Sequence, residues 1–171
     1  MKVDEKGEML KMNSEPIFRY AEEKDVALIL SFIKDLAEYE KMLEEVVATE
    51  EMLRYWLFKE KKAEVLFVME NEKEVGFALF FYNFSTFLGQ AGIYLEDLFV
   101  LPEYRGKGYG KAILKQLAKL TIERGCGRLE WSCLDWNKPS IDFYLSLGAT
   151  PMEEWTTYRV TGDTLKKLSG Q

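Results

Sequence analysis

With 171 residues, 47% of them hydrophobic and 14% aromatic, the chain has the length and apolar content of one domain with one core. Lys and Arg number 23 against 29 Asp and Glu, and the resulting net charge of −6 argues against general nucleic-acid binding, which needs surplus cations, and suits cationic partners. There is no histidine, which excludes Ser-His-Asp and Cys-His catalysis and most zinc sites; a general base must be Glu, Asp, Tyr or Cys, or act through water.

Residues 1–14 are polar and aperiodic and read as a flexible N-terminal leader to a domain over 15–171. Ile17 to Tyr20 reads as a first strand. From Glu22 the apolar residues Val26, Ile29, Leu30, Ile33, Leu36 and Ala37 recur at helical spacing, without a strong N-cap to fix the start. An acidic stretch follows, with Glu38, Glu40, Glu44, Glu45, Glu50 and Glu51 against Lys41; it reads as a solvated helix end and loop, or in part, at Tyr39-Glu40, as one wall of a cation site. A second helix is expected over about Glu50 to Lys59, capped by Thr49, with an apolar face of Leu53, Trp56 and Leu57. Val65 to Met69 and Val75 to Tyr82 read as strands joined by a polar hairpin turn, and Asn83 to Gly92 as a loop.

Ile93 to Leu101 is nearly continuous apolar and aromatic sequence, interrupted by Glu96 and Asp97, as suits a buried strand. Pro102 ends it, glycines alternate at 106, 108 and 110, and from Tyr109 to Ile122 the apolar period becomes helical. A glycine-rich loop opening a helix is an anion site, because its N–H groups are free and the helix dipole adds partial positive charge. The Walker loop does not fit, since Ala112 replaces the hydroxyl and Arg105 the first glycine. The dinucleotide fingerprint does not fit either, since Gly106 to Gly110 is one residue short. What stands there is Arg-x-x-Gly-x-Gly, Arg105 to Gly110, and the bland alternative to a phosphate site is a tight turn. Lys107, Lys111, Lys115 and Lys119 share one helix face, usually a solvated one.

Gly125 is expected to stop this helix. Leu129 to Leu134 reads as a strand, the segment from Pro139 as a helix ending at Gly148, Thr156 to Val160 as a last strand and Thr164 to Leu168 as a short tail. The expected fold is α/β: a single-domain mixed β-sheet flanked by helices on both faces. Cys126 and Cys133 form no metal or redox motif and read as small core residues of a cytoplasmic protein, and no apolar run reaches membrane-spanning length. No metal, membrane or nucleic acid is expected as a partner.

The Arg105–Gly110 loop, directly after a strand and a proline, resembles the pyrophosphate loop of the GCN5-related N-acetyltransferase (GNAT) superfamily, whose co-substrate is acetyl-coenzyme A. Tyr94 to Val100, Tyr104-Arg105-Gly106, Ile33 to Glu40 and Trp136-Asn137-x-Pro139-Ser140-Ile141-x-Phe143-Tyr144 resemble its diamine acetyltransferase branch, the spermidine/spermine and thialysine enzymes. The resemblance implies the GNAT fold and coenzyme contacts by Arg105, Gly106, Lys107, Gly108, Tyr109, Gly110, Lys111, Asn137 and Ser140, with the pantetheine arm along the backbone of Leu98, Phe99 and Val100. It implies that Tyr144 protonates the departing thiolate and that Glu96 accepts the amine proton. Tyr39, Glu40, Glu96, Asp97 and Glu154 would line the amine site. A homodimer is expected on the same ground. The function implied is acetylation of a polyamine, diamine or lysine-like amine in a ternary complex; the alternatives are acetylation of a protein amino group and a non-catalytic acyl-CoA-binding module. Bland roles exist for these residues too: Glu96 as an ion-pair partner, Tyr144 as a core aromatic and Asn137 as a helix cap.

Overall fold

Runs rich in Val, Phe, Leu and Tyr form five strands in the computed structural model, which describes residues 16–170; the leader expected at 1–14 lies outside them. They are β1 (Ile17–Tyr20), β2 (Glu64–Glu70), β3 (Lys73–Ser85), β4 (Gln90–Val100) and β5 (Leu129–Trp131), side by side in that order. The first three neighbour pairs are antiparallel and β4–β5 is parallel. This is the expected mixed sheet, and it lies wholly in the first of two compact units, Met1–Ser132 and Cys133–Gln171.

Helix α1 (Val26–Tyr39) covers one face, burying Ile29 and Phe32 with Val65, Phe67, Phe77 and Phe99. The ring of Phe32 stacks 5.2 Å from that of Phe77. The start of α1, which the sequence left open, is fixed by charge and hydrogen bonds: Asp25 accepts the Glu22 N–H at 2.8 Å and pairs with Arg19 at 2.7 Å. Helix α2 (Glu50–Leu53) begins as expected, with Thr49 Oγ1 accepting the Met52 N–H at 3.2 Å, but it continues as a π-helical turn, Arg54–Lys59. The wider turn rotates the later residues, so Leu57 is buried while Trp56, expected on the apolar face, is 51% exposed.

Helix α3 (Tyr109–Glu123) buries Ile113, Leu114, Leu117 and Leu120. The Arg124 guanidinium just past its end lies over the ring of Phe80 at 5.7 Å and pairs with Glu64. Glu64 and Phe80 are register partners and so point to one face. Phe77, three residues from Phe80, points to the other. The two helices therefore take opposite faces of the sheet.

Other expectations change as well. Asn83 to Gly92 is not a loop: Asn83 pairs with Gly92 and Phe84 with Ala91, leaving only a turn at 86–89, where Gly89 adopts φ 64°. Gly92 looks like a breaker, yet a Cβ there would collide with the Asn83 and Arg128 side chains, so glycine permits the pairing. The strand expected from Leu129 to Leu134 stops at Trp131.

The second unit holds α4 (Lys138–Ser146) and α5 (Gly162–Leu168). Residues 156–160 form no strand, being exposed and without a ladder partner, and the expected tail at 164–168 is helical. Gly125 and Gly148, at φ 66° and 86°, stop their helices as expected. Among the described residues no helix is long and apolar enough to cross a membrane.

Candidate active site

The site grows from an irregularity in β4. Leu79 of β3 lies opposite Asp97, but Phe80 lies opposite Leu95, so Glu96 is an extra residue without a partner on β3. Such a bulge bends the strand and re-aims its side chains. The parallel pairing with β5 covers only Ile93 to Leu95. From Asp97 to Val100, β4 keeps β3 on one edge and has outrun β5 on the other, the kind of strand end at which α/β sheets hold ligands.

Asp97 and Phe99 point to the α1 face, because their partners Leu79 and Phe77 do. There Asp97 meets the end of α1. Burial, and then the negative charges of Glu96 and Glu40, push the Asp97 carboxyl up to about 6. Burial also raises Glu40, the residue capping α1. Three carboxylates thus gather at a helix C-terminus, whose dipole contributes further negative potential. Glu96 itself is exposed at the bulge. Adjacent carboxylates that hold one of their number partly protonated near neutral pH form a field that a cation would relieve.

Arg105 shares this face. Its Nε donates to the Val100 carbonyl at 2.9 Å, and its guanidinium lies 4.7 Å from the Tyr39 ring centroid and 5.0 Å from that of Phe99. The side chain therefore ties the start of the glycine loop to the Tyr39 wall, and occupies one of the carbonyls expected to meet the pantetheine arm.

Gly106 and Gly108 adopt φ 74° and 90°. A Cβ at either would meet nothing within 4 Å, so glycine serves backbone conformation there and leaves the approach open. Gly108 is the N-cap of α3, and the N–H groups of Tyr109, Gly110 and Lys111 form its first turn, without acceptors in the helix itself. The loop offers left-handed glycines, free amides and a helix N-terminus, a donor set that fits a diphosphate. One carboxylate braces it: Glu70, at the end of β2, accepts from the Tyr109 hydroxyl at 2.7 Å and pairs with Lys107 at 3.3 Å. These partners hold Glu70 below the usual carboxylate range, while burial and Glu70 push the Tyr109 phenol up to about 12. The sequence carries no sign of this brace, since Glu70 borders what reads as an ordinary polar turn. Lys111 is exposed.

Asn137, Ser140, Tyr144 and Glu154 belong to the second unit. Asn137 caps α4, its Oδ1 accepting the Ser140 N–H at 3.4 Å. Tyr144 lies on α4 with its ring 5.4 Å from that of Phe143. Glu154 is exposed in a turn after α4.

The family model for the acetyltransferase (GNAT) family matches residues 30–149, running across the boundary between the two units. Thialysine N-epsilon-acetyltransferase from Bos taurus is 39% identical over 167 residues, covering 91% of this chain and 98% of the relative. The Caenorhabditis elegans protein of the same name is 36% identical over 146 residues, 84% of this chain and 90% of its own. Among solved structures, an integron cassette protein from the mobile metagenome of V. cholerae superposes with a TM-score of 0.77 at 29% identity, over 93% of this chain and all of that one. The chain belongs to the GNAT acetyltransferase family. It is an acetyltransferase enzyme, and the co-substrate of this family is acetyl-CoA.

Proposed function

We propose that this enzyme acetylates a primary amine of a polyamine, diamine or lysine-like small molecule by direct attack in a ternary complex, with thialysine as the first acceptor to test. The observation that carries the reading is the gathering of Glu40, Glu96 and Asp97 where β4 outruns β5, on the strand that leads into the glycine loop. The names of the relatives from Bos taurus and Caenorhabditis elegans support the same acceptor class.

Bound acetyl-CoA supplies the acetyl thioester. The rest falls to the chain. An alkylammonium with a pKa near ~10 is almost wholly charged at neutral pH and must lose a proton before it attacks. Asp97 and Glu40 hold the cation, Tyr39 lines the same wall, and Glu96, exposed at the bulge, takes the proton directly or through water. The amides of Gly106 to Lys111 bind the diphosphate, with Asn137 and Ser140 as further coenzyme contacts. Tyr144 returns a proton to the thiolate; a phenol with a pKa near ~10 is still protonated at neutral pH and so has the proton to give. Glu154 joins the amine-site residues on the resemblance to the diamine branch alone. The domain spans 15–171 and acts as a cytoplasmic homodimer; the homodimer rests on the resemblance to the diamine branch, and the location on Cys126 and Cys133, which form no redox or disulfide motif.

The test is coenzyme A release from acetyl-CoA with thialysine, lysine, ornithine, spermidine, spermine, putrescine and peptide amines, run beside Tyr144→Phe. Turnover with one small amine, sharply reduced in the variant, is the expected result. Turnover confined to peptide amines would move the acceptor to proteins. Tight acetyl-CoA binding without turnover on any amine would favour a binding module.

A further inference from the structure

We infer that Glu70 is a positioning residue for coenzyme binding: one carboxylate on the β2–β3 hairpin clamps both residues that flank Gly108 and so preorganises the loop amides for a diphosphate. The inference rests on the glycine loop being the coenzyme site.

The glycine loop is weakly constrained by its own backbone. Two left-handed glycines within three residues give it wide conformational freedom, and an amide array that must be ordered on binding loses affinity by that ordering. The flanking side chains answer this. Lys107 and Tyr109 stand on either side of Gly108, and both reach Glu70, at 3.3 and 2.7 Å. Fixing residues 107 and 109 to one point constrains the glycine between them, and with it the first amides of α3. The same hairpin adds a second hold. Lys73 lies 3.8 Å from Glu103 and 5.1 Å from the Tyr104 ring centroid, and Lys107 is 4.6 Å from that ring. The turn between β2 and β3 is thus the rear wall of the glycine loop.

A carboxylate beside a diphosphate site needs a reason, because its charge opposes the ligand. Lys107 offsets that charge, which leaves Glu70 free to serve as an anchor. It follows that Lys107 is committed to Glu70, and that coenzyme recognition at this loop runs through amides more than through the Lys107 ammonium.

The experiment is calorimetric measurement of acetyl-CoA affinity in the full chain for Glu70→Ala, Glu70→Gln, Tyr109→Phe, Lys107→Met, Gly108→Ala and the Glu70→Ala/Tyr109→Phe pair, with Tm recorded for each. Freeing two long side chains predicts about a tenfold rise in Kd for Glu70→Ala. Glu70→Gln keeps an acceptor for the Tyr109 hydroxyl and stays within about threefold of the parent, and Tyr109→Phe and Glu70→Ala combine less than additively. Lys107→Met, which releases one of the two clamped residues and leaves the Glu70 charge without its partner, also weakens binding, by roughly threefold to tenfold. In turnover, Glu70→Ala raises the KM for acetyl-CoA and leaves kcat at saturation unchanged, a split that mere loss of folded protein would not give. Tighter binding in both Glu70→Ala and Glu70→Gln would overturn the inference, by showing Glu70 to be only a repelling charge. So would an unchanged Kd for Glu70→Ala alongside weakened binding by Gly108→Ala. Unchanged binding by Gly108→Ala would instead remove the loop as the coenzyme site, and this inference with it.

Discussion

The two halves of β4 place one strand in two situations. Over Ile93 to Leu95 it is paired on both edges, and Ile93 and Leu95 are almost wholly buried. From Glu96 onward β5 is absent from its side, Glu96 has no partner on β3, and two acids stand where apolar residues would pack. A doubly paired strand has its backbone groups committed and its side chains in the core, so it serves stability. A strand that has lost a neighbour has groups to offer a ligand, and its bulge aims them. Chemistry thus sits where the sheet is locally incomplete, within three residues of where it is most complete.

Substitutions in the two halves of β4 should separate stability from chemistry. Glu96→Gln is expected to lower kcat/KM for the amine by about 100- to 10,000-fold, the range for a lost general base, with acetyl-CoA affinity and Tm nearly unchanged. A matching loss of stability would place Glu96 in the structural half. Ile93→Ala should do the reverse. Truncating a buried aliphatic costs about 3 kcal/mol, roughly 6–12 °C in Tm for a chain of this size, while kcat per folded molecule is retained.

Asp97→Asn has the opposite sign. The Asp97 carboxyl, raised to about 6, binds its proton more tightly in the folded chain than in the unfolded one. Its ionisation therefore costs stability progressively from about pH 4 to pH 6, and the full cost persists above. Replacement by Asn should stabilise the protein by about 3 kcal/mol at pH 7 and by nothing near pH 4, read from thermal unfolding at the two pH values. The same variant should raise the KM for a cationic amine at pH 7, and in the parent enzyme that KM should rise as pH falls through about 6. Smallest is Tyr94→Phe, which removes the 2.7 Å contact of its hydroxyl with Ser132 Oγ while keeping the ring beside Phe81; a loss under about 1 kcal/mol and an unchanged rate are expected.

Much of this was legible in the letters. The strand ending at Pro102, the switch to helical spacing after Gly110 and the Thr49 cap are local signals, and local signals survive folding. The acid pair Glu96-Asp97 inside an apolar run marked the bulged half, since nothing in a packed strand calls for two adjacent carboxylates. What stayed hidden depended on partners distant in the chain. Gly92 reads as a breaker until Asn83 lies against it. Thr156 to Val160 has strand composition, but composition makes no ladder without a neighbour. Glu70 meets Tyr109 across 39 residues of sequence, and Arg105, legible as a loop residue, could not be seen lying on Tyr39.

The extra residue at position 96 also acts as a phase slip. Before it, odd-numbered residues of β4, Ile93 and Leu95, share a face with Tyr82 and Phe80; after it, odd-numbered residues, Asp97 and Phe99, share the opposite face with Leu79 and Phe77. The strand still reads as unbroken hydrophobicity rather than alternation, because helices cover both faces of the sheet. Substituting Glu96 changes one side chain; deleting it would leave Leu95 opposite Phe80 and Asp97 opposite Leu79 in an unbroken ladder, so the bulge and its carboxylate would be lost while Phe99 stays with Phe32, Phe67 and Phe77. The extra residue thus serves the chemistry, since the ladder and the faces of the core residues are complete without it.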